Sequence, residues 1–167
     1  MANSNLLPIY KELFGEDFIY FEFDMRMKMQ KAVYLLQDMG VPMGRYSYRW
    51  YLHGPYSHKL QDDMYEERNN ETGALVISQE NLERIQKLAA VFNYWEAEER
   101  KGEVGYEQVD WVECLGSLHY IRKRFLSTDA SNEELLAKLK EKKPHLANKS
   151  ANAIALVKEK ELFTREN

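Results

Sequence analysis

Apolar positions along this chain recur with two different periods, and the points where the period changes mark its elements. Met25, Met29, Ala32, Val33 and Leu36 fall at i, i+4, i+7, i+8 and i+11, which is one face of a helix. Asp24 is the expected N-cap, and Gly40 followed by Pro42 stops the helix. The period then drops to two. Tyr46, Tyr48, Trp50 and Leu52 alternate with Arg45, Ser47, Arg49 and Tyr51, as in a half-buried strand. Gly54-Pro55 is expected to end that strand, with Pro55 in the first turn of the next helix and Ser57 as a second candidate cap. Tyr56, Leu60 and Met64 recur at i+4 and predict a helix of about three turns.

Further along, the turn cluster "NNETG" leads into a short strand candidate at 74–77. A long helix is expected from Ser78, with Leu82, Ile85, Leu88, Ala89, Phe92 and Trp95 as its apolar stripe and a polar tail over 96–105. Asp110 and Glu113 have capping-box spacing and predict another helix, with Trp111, Leu115, Leu118, Arg122 and Phe125 near one face. Ser131 and Glu134 repeat that signal for a shorter helix closed by Pro144, and Ser150 is the expected cap of a last one. A short first helix should end near Gly15. The fold class is mainly α (α+β). Six or seven helices carry a small antiparallel β element over 46–52, in a layout open to a winged-helix arrangement. The chain reads as one domain over 1–167, with a core motif at 25–65 and a helical C-terminal part at 79–163.

Composition narrows the class. Of the 167 residues, 44% are hydrophobic and 13% aromatic, enough to bury a core and to exclude disorder as the main state. A single cysteine, Cys114, excludes an internal disulfide and a cysteine-based zinc site. The first residues lack a signal-peptide pattern and no apolar run approaches membrane length, so a cytoplasmic setting is expected. The net charge of −4 is distributed unevenly. Residues 25–61 carry six Lys/Arg against one acid, 62–113 carry fourteen acids against five bases, and 114–167 carry eleven bases against seven acids. A polarised chain of this kind steers a charged partner.

Catalytic chemistry finds little support. His53, His58, Asp62 and Asp63 are ligand types close together, but the histidines lie across a turn and no second ligand group accompanies them, so no metal is expected. Cys114 and His119 diverge by about 140° on one helix, which no nucleophile–base pair tolerates. "GVPMG" lacks the spacing and lysine of a phosphate loop. No catalytic residue and no cofactor is assigned.

The order helix, aromatic strand, Gly-Pro-Tyr-Ser, helix resembles a known family. "KMQKAVYLLQDMG" followed by "YRWYLHGPYSHKLQDDM" is similar to the YwgA group of bacterial proteins and, more distantly, to the Panacea domain of SocA-type antitoxins. The matching positions are Lys28, Gln30, Lys31, Tyr34, Leu35 and Tyr51, then Gly54, Pro55, Tyr56, Ser57, Leu60 and Asp63. They fall within residues 26–64, and beyond Met64 the chain departs from the pattern. The resemblance implies a small helical domain that binds a protein partner, possessing no catalytic residues to carry over.

Two binding readings follow. In the favoured one the chain is an adaptor or antitoxin-like protein whose partner meets Arg45, Arg49, Tyr51, His53, Tyr56, His58 and Lys59. Trp50, Gly54, Pro55, Ser57 and Leu60 then form the structural pin beneath them. In the other, a winged-helix-like regulator lays the helix from Tyr56 into the major groove, with Arg45, Arg49, His58 and Lys59 on phosphates. Asp62, Asp63, Glu66 and Glu67 crowd that helix and would repel phosphates, so DNA is disfavoured.

Overall fold

The computed structural model describes residues 3–96, 106–127 and 129–163. Helix α1 (Leu6–Phe14) ends at Gly15, and α2 (Phe23–Asp38) follows a short link that contains a bend and a turn. Next come strands β1 (Arg49–Tyr51) and β2 (Gly54–Tyr56), then α3 (His58–Glu67). Helix α4 (Gln79–Phe92) continues as a 3₁₀ turn at Asn93–Glu96. Helix α5 (Gln108–Tyr120) runs into a π-helical turn at Ile121–Phe125. Helices α6 (Asn132–Lys142) and α7 (Lys149–Phe163) flank a 3₁₀ turn at Pro144–Leu146. The fold is mainly α, with seven α-helices and one two-stranded antiparallel sheet among the described residues. None of those helices is long and apolar enough to cross a membrane.

Helices α2 and α5 form the centre and pack on each other, while α1 lies on α4, and α7 on α5. The hairpin rests on both central helices. This central position explains why α2 is buried on every face from Met27 to Leu36 and α5 from Trp111 to Tyr120. An amphipathic stripe describes a helix with one wet face. These two have none, so polar residues between the apolar positions are buried as well, among them Lys28, Gln30, Lys31, Glu113 and Ser117.

Several sequence expectations shift. The alternating run pairs only over Arg49–Tyr51, and residues 41–48 have no regular secondary structure. Gly54-Pro55 is not a strand end: it belongs to β2, with Trp50 opposite Pro55 and Tyr51 opposite Gly54. Leu52, placed by the alternation on the buried face, sits in the hairpin turn and is 85% exposed. Residues 74–77 form no strand. Glu22, not Asp24, is the N-cap of α2. Asp110 is the third residue of α5, and its carboxylate accepts from the Glu107 N–H at 3.3 Å. Asn148, not Ser150, caps α7, accepting from the Ala151 N–H at 3.0 Å. Ser57, Ser78 and Ser131 cap α3, α4 and α6 as their spacing predicts. The polar stretch at 97–105 lies outside the described residues.

Candidate functional site

The hairpin is held to the core by backbone contacts that its own short ladder cannot supply. Gln30 of α2 uses both ends of its amide on Ser57: Nε2 donates to the Ser57 carbonyl at 2.9 Å and Oε1 accepts from the Ser57 N–H at 2.8 Å. Ser57 Oγ in turn accepts from the Leu60 N–H at 3.2 Å and opens α3. Gln37, two turns further along α2, repeats the arrangement on Tyr46 at 3.0 and 3.2 Å. Lys143, buried after α6, donates to the Tyr51 carbonyl at 3.0 Å and to the Leu52 carbonyl. Gly54 has φ of +90°, and a Cβ there would stand 2.7 Å from Ser117 Oγ. Only glycine satisfies both constraints.

The structural residues expected from the sequence lie inward. Gly54, Pro55, Ser57 and Leu60 are buried. Trp50 packs its ring on Tyr120 and Phe125 at 5.5 and 5.3 Å, with the Lys143 ammonium 4.8 Å from its face.

The seven expected partner-binding residues are brought together around two adjoining grooves. Tyr51, Tyr56 and His58 form the ridge between them. Their rings meet edge-on at 5.0 to 5.5 Å, and Tyr51 Oη lies 2.8 Å from His58 Nε2. On one side a basic groove of about 350 Å³ is lined by Arg45, Arg49 and Lys59 together with the ridge. Lys59 also pairs with Asp63 at 2.8 Å, and Asp63 accepts from Tyr46 Oη at 2.6 Å. On the other side a more apolar groove of about 360 Å³ runs between the start of α2, the hairpin turn and α3. His53 lines it, with its ring 5.2 Å from Phe23. The two grooves share three residues, and no Asp or Glu lines either of them.

Periodicity missed half of the second groove. Phe23 and Arg26 come from the first turn of α2, Lys31 from its buried middle, and Leu52 from the hairpin turn. Lys31 is 2% exposed and makes no hydrogen bond or ion pair with any described residue. Burial pushes its pKa down to about 7, Glu113 opposing the fall and Lys143 adding to it. Gly116 makes room for it, since a Cβ there would lie 3.0 Å from Lys31 Cγ. Beside Lys31, Glu113 is 2% exposed and has several basic side chains around it. His145 Nε2 is 2.8 Å from its carboxylate, His53 Nδ1 3.5 Å and Lys143 Nζ 4.0 Å. Burial also lowers the Lys143 pKa, against the pull of Glu113. One buried carboxylate therefore faces two lysines, with two imidazoles beside it.

His53, His58, Asp62 and Asp63 do not converge, and no group of three or more metal-ligating side chains occurs among the described residues. Cys114 is buried, its thiol 3.4 Å from Asn152 Oδ1, and burial raises its pKa. His119 faces away from it, between Asp38 and Glu159. No family model, curated protein or solved structure matches the chain.

Proposed function

We propose that this chain is a non-enzymatic protein-binding module that grips an acidic, apolar-bearing segment of a partner protein across the two grooves. The observation that carries the reading is the lining: every charged or imidazole side chain in either groove is a base, around an aromatic ridge. Arg26, Lys31, His53 and His58 serve one groove, and Arg45, Arg49, Lys59 and His58 the other. Tyr and Arg are enriched where partners dock, and a basic rim selects an acidic partner and speeds its approach. Leu52 and Phe23, 85% and 51% exposed, supply apolar contact at the edge of the more apolar groove. The resemblance of residues 26–64 to the Panacea domain of antitoxins leads to the same class of partner.

Duplex DNA fits less well. The outward side of α3 exposes Asp62 and Glu66, and a helix seated in the major groove would press both onto phosphates. Among the described residues no strand follows α3, so the hairpin does not stand where a wing would.

The test begins with a partner captured from the source cell with nucleic acid digested, then purified and titrated by calorimetry. Leu52→Asp and Arg49→Glu should each weaken binding at least about tenfold, as loss of an interface anchor does. Val157→Asp, on α7 outside both grooves, should leave it unchanged. Binding indifferent to both groove variants overturns the reading. Sequence-dependent duplex binding in an anisotropy titration, abolished by Arg49→Ala and Lys59→Ala, replaces it with the DNA-binding alternative.

A further inference from the structure

We infer that the more apolar groove is a receptor for a small carboxylate ligand, with an aromatic or aliphatic stem held at the rim and its carboxylate anchored on Lys31 at the floor. The inference rests on the groove itself and stands whether or not a protein docks at its edge.

Three observations carry it. The cavity of about 360 Å³ lies at the lower end of the range that encloses small ligands. Its walls are those of a small-ligand site, with Phe23, Met27, Tyr51 and Tyr56 contributing apolar surface. At the floor a lysine almost wholly removed from water lines the space without a hydrogen-bond partner among the described residues. Its Nζ is not among the fully buried unpartnered side-chain atoms, so the amine opens on the groove, where a ligand can reach it. A buried ammonium has three donors to satisfy, and a carboxylate is the small group that satisfies them and neutralises the charge together.

The surrounding charges select an anion. Glu113 of α5 and Lys143, after α6, act directly on Lys31; His53 and His145 stand against Glu113, and Arg26 and His58 line the same groove. Glu113 is the one acid among them. A cationic ligand would meet Arg26 and Lys31 with no acid lining the groove, and a neutral one would leave the lysine unpaired.

Proton uptake is the second signature. In the empty groove Lys31 gives up its proton near neutral pH because burial disfavours the charged form. A bound carboxylate restores the preference for the ammonium. Above about pH 7 the complex therefore forms as R–COO⁻ plus a neutral amine plus one proton taken from solvent. Affinity should then fall by about tenfold for each further pH unit.

The experiment is a calorimetric titration of the full chain with phenylacetate, 3-phenylpropanoate and hexanoate. Phenylacetamide serves as the uncharged isostere, and each is measured from pH 6 to 9 in buffers of differing ionisation enthalpy. At least one acid should bind saturably and at least about tenfold tighter than its amide at pH 6.5. Binding should take up close to one proton at pH 8.5. Lys31→Met should abolish the preference for the acid while its circular dichroism stays that of the parent. The comparison of acid with amide needs no variant, so it decides even if Lys31→Met fails to fold. No saturable binding of any of the three acids overturns the inference, as does equal binding of acid and amide, absence of proton uptake, or an acid preference that survives in a folded Lys31→Met. Such a failure leaves the docking reading intact, because that reading is decided by Leu52 and Arg49 with a protein partner.

Discussion

At the scale of single residues, Lys31 sets stability against use. An ammonium taken out of water with no hydrogen bond in exchange is among the costlier arrangements in a protein interior. The unfolded chain keeps this lysine near its ordinary value of 10.5, whereas the folded chain holds it near 7. Between those values the unfolded state binds a proton that the folded state lacks, so stability rises with pH across that window. Below about pH 7 both states are protonated and the folded one bears the full cost. Replacing the side chain by methionine, of similar length and without the charge, should therefore stabilise the fold by about 1–3 kcal/mol at pH 6.5. The gain should shrink steadily toward pH 10. Urea melts of parent and Lys31→Met at pH 6.5 and 9.5 test this. A variant less stable than the parent at both values would make the amine a structural support and remove the reason to read it as a site.

The elements are joined by side-chain amides where the sheet is too short to hold itself. A ladder of three residue pairs is marginal in water, and Gln30 and Gln37 compensate by pairing with the backbone of Ser57 and Tyr46 as a neighbouring strand would. Replacing Gln30 by leucine strands a buried N–H and a buried carbonyl together. At about 1–3 kcal/mol for each unsatisfied group, minus the gain in apolar burial, the loss should be about 2–4 kcal/mol. Gln37→Leu, whose pair is only part-buried, should lose less. Hydrogen exchange at the Ser57 amide should accelerate in Gln30→Leu beyond what the drop in global stability explains, and an unchanged rate would show that the clamp does not hold the hairpin. This layer of the structure was the least legible in the sequence. All seven helices showed in the spacing of Met29, Leu36, Ile85, Leu88 and Leu115 and their neighbours, or in stop and cap signals such as Gly15, Ser131 and Glu134, because period and cap are local properties. The seven groove residues around Gly54-Pro55 were legible as a cluster for the same reason. Arg26, Lys31 and Glu113 were not, because a polar residue on a helix reads as wet until tertiary packing surrounds that helix. Leu52 failed in the opposite sense: alternation promised a buried leucine, and the two-residue turn lifted it into solvent.

Across the whole molecule, an ionic cluster ties the first half of the chain to its last helix. His119 of α5 stands 2.8 Å from Asp38 at the end of α2 and 2.9 Å from Glu159 of α7, with Phe163 stacked on its ring at 3.9 Å. Lys123 pairs with Asp38 at 2.9 Å, and Arg122 pairs with Glu159. Burial is the largest single influence on His119 and pushes its pKa down, but the two carboxylates together outweigh it and raise the value above 6.5. For Asp38, burial likewise pushes upward, and His119 with Lys123 outweighs it, leaving the carboxyl below 3.8. The signs follow directly. A histidine raised on folding stabilises fully below its unfolded value and loses that contribution as pH rises through its folded value. A lowered aspartate stabilises above its unfolded value and loses that contribution as pH falls through the folded one. The cluster therefore contributes most between the carboxylate range and about pH 6.5. His119→Gln should be about 2–4 kcal/mol less stable than the parent at pH 6, somewhat below the loss for breaking a buried pair because Lys123 and Arg122 still cover the two acids. The ring lost from Phe163 adds an offset that does not change with pH, so the diagnostic quantity is the difference between the melts at pH 6 and at pH 9. That difference should narrow as pH rises, opposite in direction to the stability gained as Lys31 deprotonates. Parallel curves for parent and His119→Gln across that range would mean the imidazole is neutral in the fold, and that α2, α5 and α7 are joined through Lys123 and Arg122 alone.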